Sequence, residues 1–483
     1  MSRNAFSITC LMGSILLAGL VAWIAAEPDA AARPTPDHVS DDAADKLASG
    51  AIAGFSGGAG AAGGVRSIAE SVVRQAEGRA VRLTFNPYED IDWQNTRGYK
   101  MELHAHVRGA YDEVAELIRV YTGDAEDRRG HRLAEGDEYH IPAVSYGTGP
   151  DCHYWPWDSL SQYACWNEDF DPVANNVIGV PVVEIDDVRH LNAVFSYGLP
   201  NDVSDDFPAY SDWKQAIDII IKDTKWTVVD GAEEATPLLM PAHPARYYDK
   251  PGEDGIEAYR EAFEKHSLAD GLIGIEALTK AWDPWRNFQR ERNARRWDDV
   301  ILAGLLTDLE GREGPCLMFG VDDTNHHRIG HDIDRRWTTV LLAPGQFNPE
   351  DQDASRRAIY EALKAGRIFA SQRVPWDHPD EDPPPVPVVN AVIVNEQDQT
   401  ITVRAEGGEV VWVNAHGAGS GDEAEYLRNV VARGPTFNYG EHAEVVADSH
   451  IIPHVIGPDR KGETLLQPFT FERIERDGGA DGR

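Results

Sequence analysis

Between residues 82 and 373 the chain alternates short apolar runs with amphipathic stretches, and this alternation narrows the fold more than any other feature. The strand-like runs are "KMELHAHV", "VIGVPVVEI", "LNAVFSY", "TPLLMPAH", "GLIGIEAL" and "CLMFGV". "YDEVAELIRVY" reads as a helix, because Val114, Leu117, Ile118 and Tyr121 recur at i, i+3, i+4 and i+7. "SRRAIYEALKAG" reads as another, with Ser355 as its N-cap and Gly366 just past its end. Strands alternating with helices predict an α/β fold with a mainly parallel sheet, either a barrel or doubly wound.

The pattern then changes. "VPWDHPDEDPPPVP", residues 374–387, is a stiff acidic linker. Beyond it, residues 388–474 follow a period of two and predict a small β-sandwich-like domain. At the other end, Ala80–Phe85 alternates like a strand and Val65–Gln75 like a short helix. Residues 27–64 are rich in Ala, Gly, Asp and Pro and are expected to be a flexible tether.

Residues 1–26 place Arg3 before an apolar stretch from Phe6 to Ala26, followed by small residues suited to cleavage. This predicts a signal peptide, or an N-terminal anchor if uncleaved, and so an exported protein: periplasmic, extracellular or at the cell surface. A membrane is a partner only in the uncleaved case. The 483 residues carry 45 basic and 81 acidic side chains, a net charge of −36. Such a surface repels nucleic-acid phosphates, so no nucleic-acid partner is expected. Without Cys10, three cysteines remain: Cys152 and Cys165, spaced to close a loop disulfide or to stay as thiols, and Cys316.

The chemistry-bearing residues gather at the ends of the strand-like runs. In an extended strand, i and i+2 share a side, so His104 and His106 project together and form a pincer for a divalent metal. "VPVVEIDDVRH" ends in Glu184 and brings His190. "LLMPAHPAR" ends in His243, followed by Arg246, and "LMFGVDDTNHH" ends in Asp322, Asp323, His326 and His327. A carboxylate with several imidazoles suits a hydrolytic centre that activates water on a metal. Trp93, Tyr154, Trp155 and Trp157 are either packing aromatics or the lining of a substrate mouth.

The order of these motifs, HxH after a strand, then Glu and His, then HP-x-R, then an Asp-rich strand end, resembles the PHP (polymerase and histidinol phosphatase) metallohydrolases. The likeness spans roughly residues 85–371. "NPYEDIDW", "YKMELHAH" and "EALKAGRIFAS" look like the exported, carbaryl hydrolase-like branch. The resemblance implies a distorted (β/α)7 barrel, residues 82–373, followed by the β-domain. It implies metal ligands His104, His106, Glu184, His190, His243 and Asp323, with His326 as a further ligand one residue displaced. It also implies Zn, Mn or Fe, one or two ions and three at most, acting on a phosphoester, carbamate or similar small-molecule ester. His190 or His326 is a general-acid candidate, and Arg246 a candidate to hold an anionic leaving group. The chain departs from the family pattern in two places. Tyr146 and Gly147 stand where an Asp-His pair is usual, with Asp151 and His153 nearby, and Asn325 stands in the Asp-x-His motif. These departures leave a second reading, a PHP-fold binding or scaffold protein at the cell surface without catalysis. A third reading is an amidohydrolase-type barrel, which often uses a strand-end Lys as a bridging ligand, but Lys222 and Lys225 sit in a polar helix-like or loop stretch.

Overall fold

The computed structural model describes residues 80–107, 117–126, 132–133, 135–143, 145–147, 173–185, 190–196, 214, 217–218, 221, 236–244, 253–278, 298–310, 312–322, 324–325, 335–373, 383–414 and 429–474. The N-terminal segment, the tether, the helix expected at 65–75, Cys152 and Cys165 lie outside them. So do Asp151, His153, Tyr154, Trp155, Trp157, Lys222, Lys225, Arg246, Asp323, His326 and His327.

The first strands are β1 (Ala80–Phe85), β2 (Arg97–Glu102), β3 (Ala105–Val107), β4 (Ile141–Pro142) and β5 (Ser145–Gly147). There follow β6 (Val182–Ile185), β7 (Leu191–Val194), β8 (Leu238–Pro241), α1 (Glu253–Lys265), β9 (Gly274–Leu278) and α2 (Asp298–Thr307). Next come β10 (Leu317–Gly320), β11 (Thr324–Asn325), β12 (Arg336–Leu342), α3 (Gln352–Lys364) and β13 (Ile368–Arg373). The C-terminal strands are β14 (Val388–Asn395), β15 (Thr400–Glu406), β16 (Glu409–Val413), β17 (Val430–Arg433) and β18 (Thr436–Asn438). The short α4 (Ala443–Val446), then β19 (Ser449–Ile456), β20 (Gly462–Leu466) and β21 (Phe469–Ile474) complete the series.

The result is a mixed α/β protein with much sheet and, among the described residues, few helices. One sheet runs β11-β3-β5-β6-β7-β8, and a parallel bridge from Leu239 to Leu272 leads on to the parallel pair β9-β10. A larger sheet runs β1-β21-β19-β20-β13-β12-β2-β4, with β16 and β17 attached through β19. β14, β15 and β18 form a third. Strands on both sides of the Pro-rich segment share the larger sheet: β13 pairs with β20, and β1 with β21. Among the described residues, no helix is long and apolar enough to cross a membrane.

The expectation of a mainly parallel sheet needs correcting. β3, β5, β6 and β11 pair in parallel, but β7 is antiparallel to both β6 and β8. The link from Ile185 to Leu191 is too short for a crossover, so the chain turns back as a hairpin. The larger sheet is antiparallel apart from β2–β4. "KMELHAHV" is likewise two strands, broken at Leu103 and His104. The buried Glu102 carboxylate accepts the backbone N–H groups of both residues, at 3.1 and 2.7 Å, in place of ladder partners. β2 therefore belongs to the larger sheet and β3 to the smaller one.

The N-cap of α3 is Asp351, which accepts the N–H of Ala354 at 3.1 Å, and not Ser355. Ser355 is buried inside the helix and bonds back to Asn348. Gly366 does follow the helix end, at φ +70°, a conformation L side chains rarely adopt. Trp93 stacks on Phe369 beside Tyr88 and is a packing aromatic.

β7, β8, β9 and β10 are buried along their whole length, which explains their near-continuous apolar sequences. α1 buries Tyr259, Ala262 and Phe263, spaced i, i+3 and i+4, and α2 buries Val300 to Ala303 and Leu306. These residues pack with Leu191, Ile275 and Met318 in one core. Met101, Leu103, Ile141, Val182, Leu238 and Phe319 form a second core on strands that carry the candidate site.

Candidate metal centre

Glu184 lies in β6, and the β6–β7 register sets it opposite Asn192. His190 immediately precedes β7. The Ala242 N–H donates to the His190 carbonyl at 3.0 Å, which brings the chain after β8 alongside. His243 follows, its backbone at φ +29°, in a region that non-glycine residues seldom occupy. His104 arrives from the break between β2 and β3, and Glu276 from the middle of β9.

Glu184 is the hub. Its Oε1 is 2.5 Å from His190 Nδ1, 3.2 Å from His104 Nε2 and 3.9 Å from His243 Nε2. His104, Glu184 and His243 are buried, and one donor atom from each lies within 4.8 Å of the others. His190 keeps contact with solvent, its side chain 13% exposed. Donor atoms sharing one tetrahedral Zn at bond lengths of about 2.0–2.1 Å stand about 3.3 Å apart. The 3.2 and 3.9 Å separations fall around that figure. Imidazole nitrogens with a carboxylate oxygen are also the donor set that Zn, Mn or Fe takes. The residues present therefore fit a divalent metal.

No family model matches this chain, and no curated protein matches it. A solved structure of a two-domain protein from Bacteroides vulgatus containing a predicted PHP-like metal-dependent phosphoesterase is distantly similar. It shares 15% sequence identity over 69% of this chain and 81% of that chain, with a TM-score of 0.34.

Of the residues expected at a metal, the structure brings together His104, Glu184, His190 and His243. His106 has its backbone in β3, paired with Ser145 and Asn325, and its side chain lies outside the described set. Asp323, His326 and Arg246 also lie outside it. The backbone of Tyr146 and Gly147 runs in β5 between β3 and β6, with Gly147 opposite Glu184.

Three further buried polar residues belong to the site. The Glu276 carboxylate accepts from Asn192 Nδ2 at 2.7 Å, stands 2.7 Å from His104 Nδ1, and accepts the His243 N–H at 2.8 Å. Glu102 holds the backbone of His104. Burial first, and then the nearby Asp322 carboxylate, push the Glu102 acid well above the usual carboxylate range. Asp322 itself is structural: its carboxylate takes the Arg335 and Arg336 N–H groups, at 3.1 and 2.8 Å, and the Tyr139 hydroxyl at 3.0 Å. The sequence signal for Glu276 is a lone carboxylate inside an otherwise apolar run, "GLIGIEAL"; Glu102, in the mixed run "YKMELHAH", has none.

Proposed function

We propose that the chain is a metal-dependent hydrolase of the PHP kind, exported, acting on a phosphoester, carbamate or similar small-molecule ester. The observation that carries this reading is the buried His104, Glu184 and His243 donor set around one small volume. The motif order along the sequence supports the family. The strand pairings are compatible with a distorted seven-stranded barrel: the segment 317–325 pairs at one end with β9 and at the other with β3. The N-terminal Arg3 and apolar stretch support export, and the −36 charge argues against a nucleic-acid substrate.

In this reading His104, Glu184 and His243 hold a divalent Zn, Mn or Fe, with His106, Asp323 and His326 as further ligands. When bound, such a metal lowers the pKa of water and offsets the charge that develops on the ester oxygens. His190 stands with Nδ1 against Glu184, and its partly exposed ring makes it the candidate to exchange a proton with a leaving group. Arg246, three residues after His243, is the candidate for an anionic leaving group. The buried walls keep water away from His104 and Glu184, so charges there interact more strongly than in bulk solvent.

The test is metal content per chain by plasma mass spectrometry, on protein purified without chelator, followed by turnover of phosphoesters and then aryl carbamates. Bound Zn, Mn or Fe together with turnover that is lost in His104→Ala supports the proposal. No metal, even after incubation with excess, overturns it in favour of the non-catalytic binding protein.

A further inference from the structure

We infer that Glu276 is the positioning residue of this centre: it fixes the tautomer of His104 and the backbone of His243, so that both imidazoles present Nε2 toward Glu184. The inference rests on the metal-site reading above. Glu276 is fully buried in the middle of β9, where an apolar side chain would fit the strand better. Its oxygens are divided between the two halves of the site. Oε1 faces His104 Nδ1 at 2.7 Å and accepts from Asn192 Nδ2 at the same distance. Oε2 accepts the backbone N–H of His243 at 2.8 Å.

A carboxylate oxygen opposite Nδ1 favours the ring with its proton on Nδ1. The lone pair of His104 then lies on Nε2, the atom that faces Glu184 at 3.2 Å. The same carboxylate also steadies a strained residue. His243 sits at φ +29°, and the charged bond to its N–H helps hold it there. Asn192 donates to the oxygen that faces His104 and so keeps the carboxylate from rotating away. One buried acid thus aligns ligands that come from two separate chain segments, 104 and 243.

The test uses the full chain and two readouts besides activity. The first is the nitrogen NMR signature of His104 near pH 8, assigned by its loss in His104→Gln. The second is Zn affinity by chelator competition. We expect the wild-type ring to carry its proton on Nδ1. Glu276→Gln, which keeps size but offers one acceptor where Glu276 offers two, is expected to mix the tautomers and lower Zn affinity about 10- to 100-fold. A wild-type ring protonated on Nε2 and not on Nδ1 overturns the inference, whether or not the variant folds. So does a folded Glu276→Gln with unchanged tautomer and affinity. Wild-type protein that takes up no Zn, Mn or Fe defeats the hydrolase reading instead, and the tautomer measurement still decides the role of Glu276.

Discussion

Nε2 of His104 lies 3.2 Å from Oε1 of Glu184, and neither side chain is exposed to solvent. Two electron-rich atoms at that distance, away from water, need a cation between or beside them, either a proton or a metal. Metal binding should therefore stabilise the fold. At 100 times its Kd, an added ion that binds the native state alone contributes about 2.7 kcal/mol. We expect the denaturation midpoint to rise with Zn or Mn in the wild type, and the rise to disappear in His104→Ala and His243→Ala.

The interior also depends on a side chain that acts as a piece of strand. The Gln467 amide accepts the Met318 N–H at 2.7 Å and donates to the Met318 carbonyl at 2.8 Å, closing the ladder of β10 from the C-terminal region. Gln467→Leu leaves both backbone groups buried and unbonded. The expected loss is about 2–3 kcal/mol, read from urea melts, with Zn affinity little changed.

Cys316 sits fully buried just before β10, and burial pushes its thiol up to about 12. In the unfolded chain the value is about 8.5. The folded state thus keeps a proton that the unfolded state releases. The contribution is complete below about pH 8.5 and is lost as pH rises toward 12. Between pH 8.5 and 10 the wild type should lose about 1.5 kcal/mol more than Cys316→Ala. Iodoacetamide should leave Cys316 unlabelled in native protein and label it in urea, as peptide mass spectrometry would show.

Gly274 opens β9 at a point where no Cβ fits. A methyl there would meet the Leu317 carbonyl oxygen at 2.1 Å, and the atoms in the way are backbone. Gly274→Ala must push β9 from β10 and carry Glu276 with it. A loss of about 1–3 kcal/mol or more is expected, together with weaker Zn binding, measured by thermal melts and chelator competition.

Much of the site was legible because ligand-type residues at strand ends are separate signals that a fold can bring together. His104, Glu184, His190 and His243 do meet. Glu276 is not legible in this way, since a single acid in an apolar run reads equally well as the exposed face of a strand, and Glu102 is hidden in a run of mixed polarity. Only the packing of β9 between two cores shows that both of its faces are buried. The reversal of β7 was hidden for a similar reason: period and burial mark a strand, while its direction depends on how short the hairpin is. Ser355 failed as a cap because Asp351, one turn earlier, offers a better acceptor at the true helix start.

The pairing of β1 with β21 sets a timetable for synthesis. Arg82 and Glu472, which join these strands side by side, are 390 residues apart in the chain. At about 5–20 residues per second, the ribosome delivers the partner of β1 roughly 20–80 seconds after β1 itself. For that interval β1 is a strand lacking its native neighbour, an edge open to wrong partners in a crowded compartment. Closure of the larger sheet at β1 therefore waits for β21, wherever the chain folds.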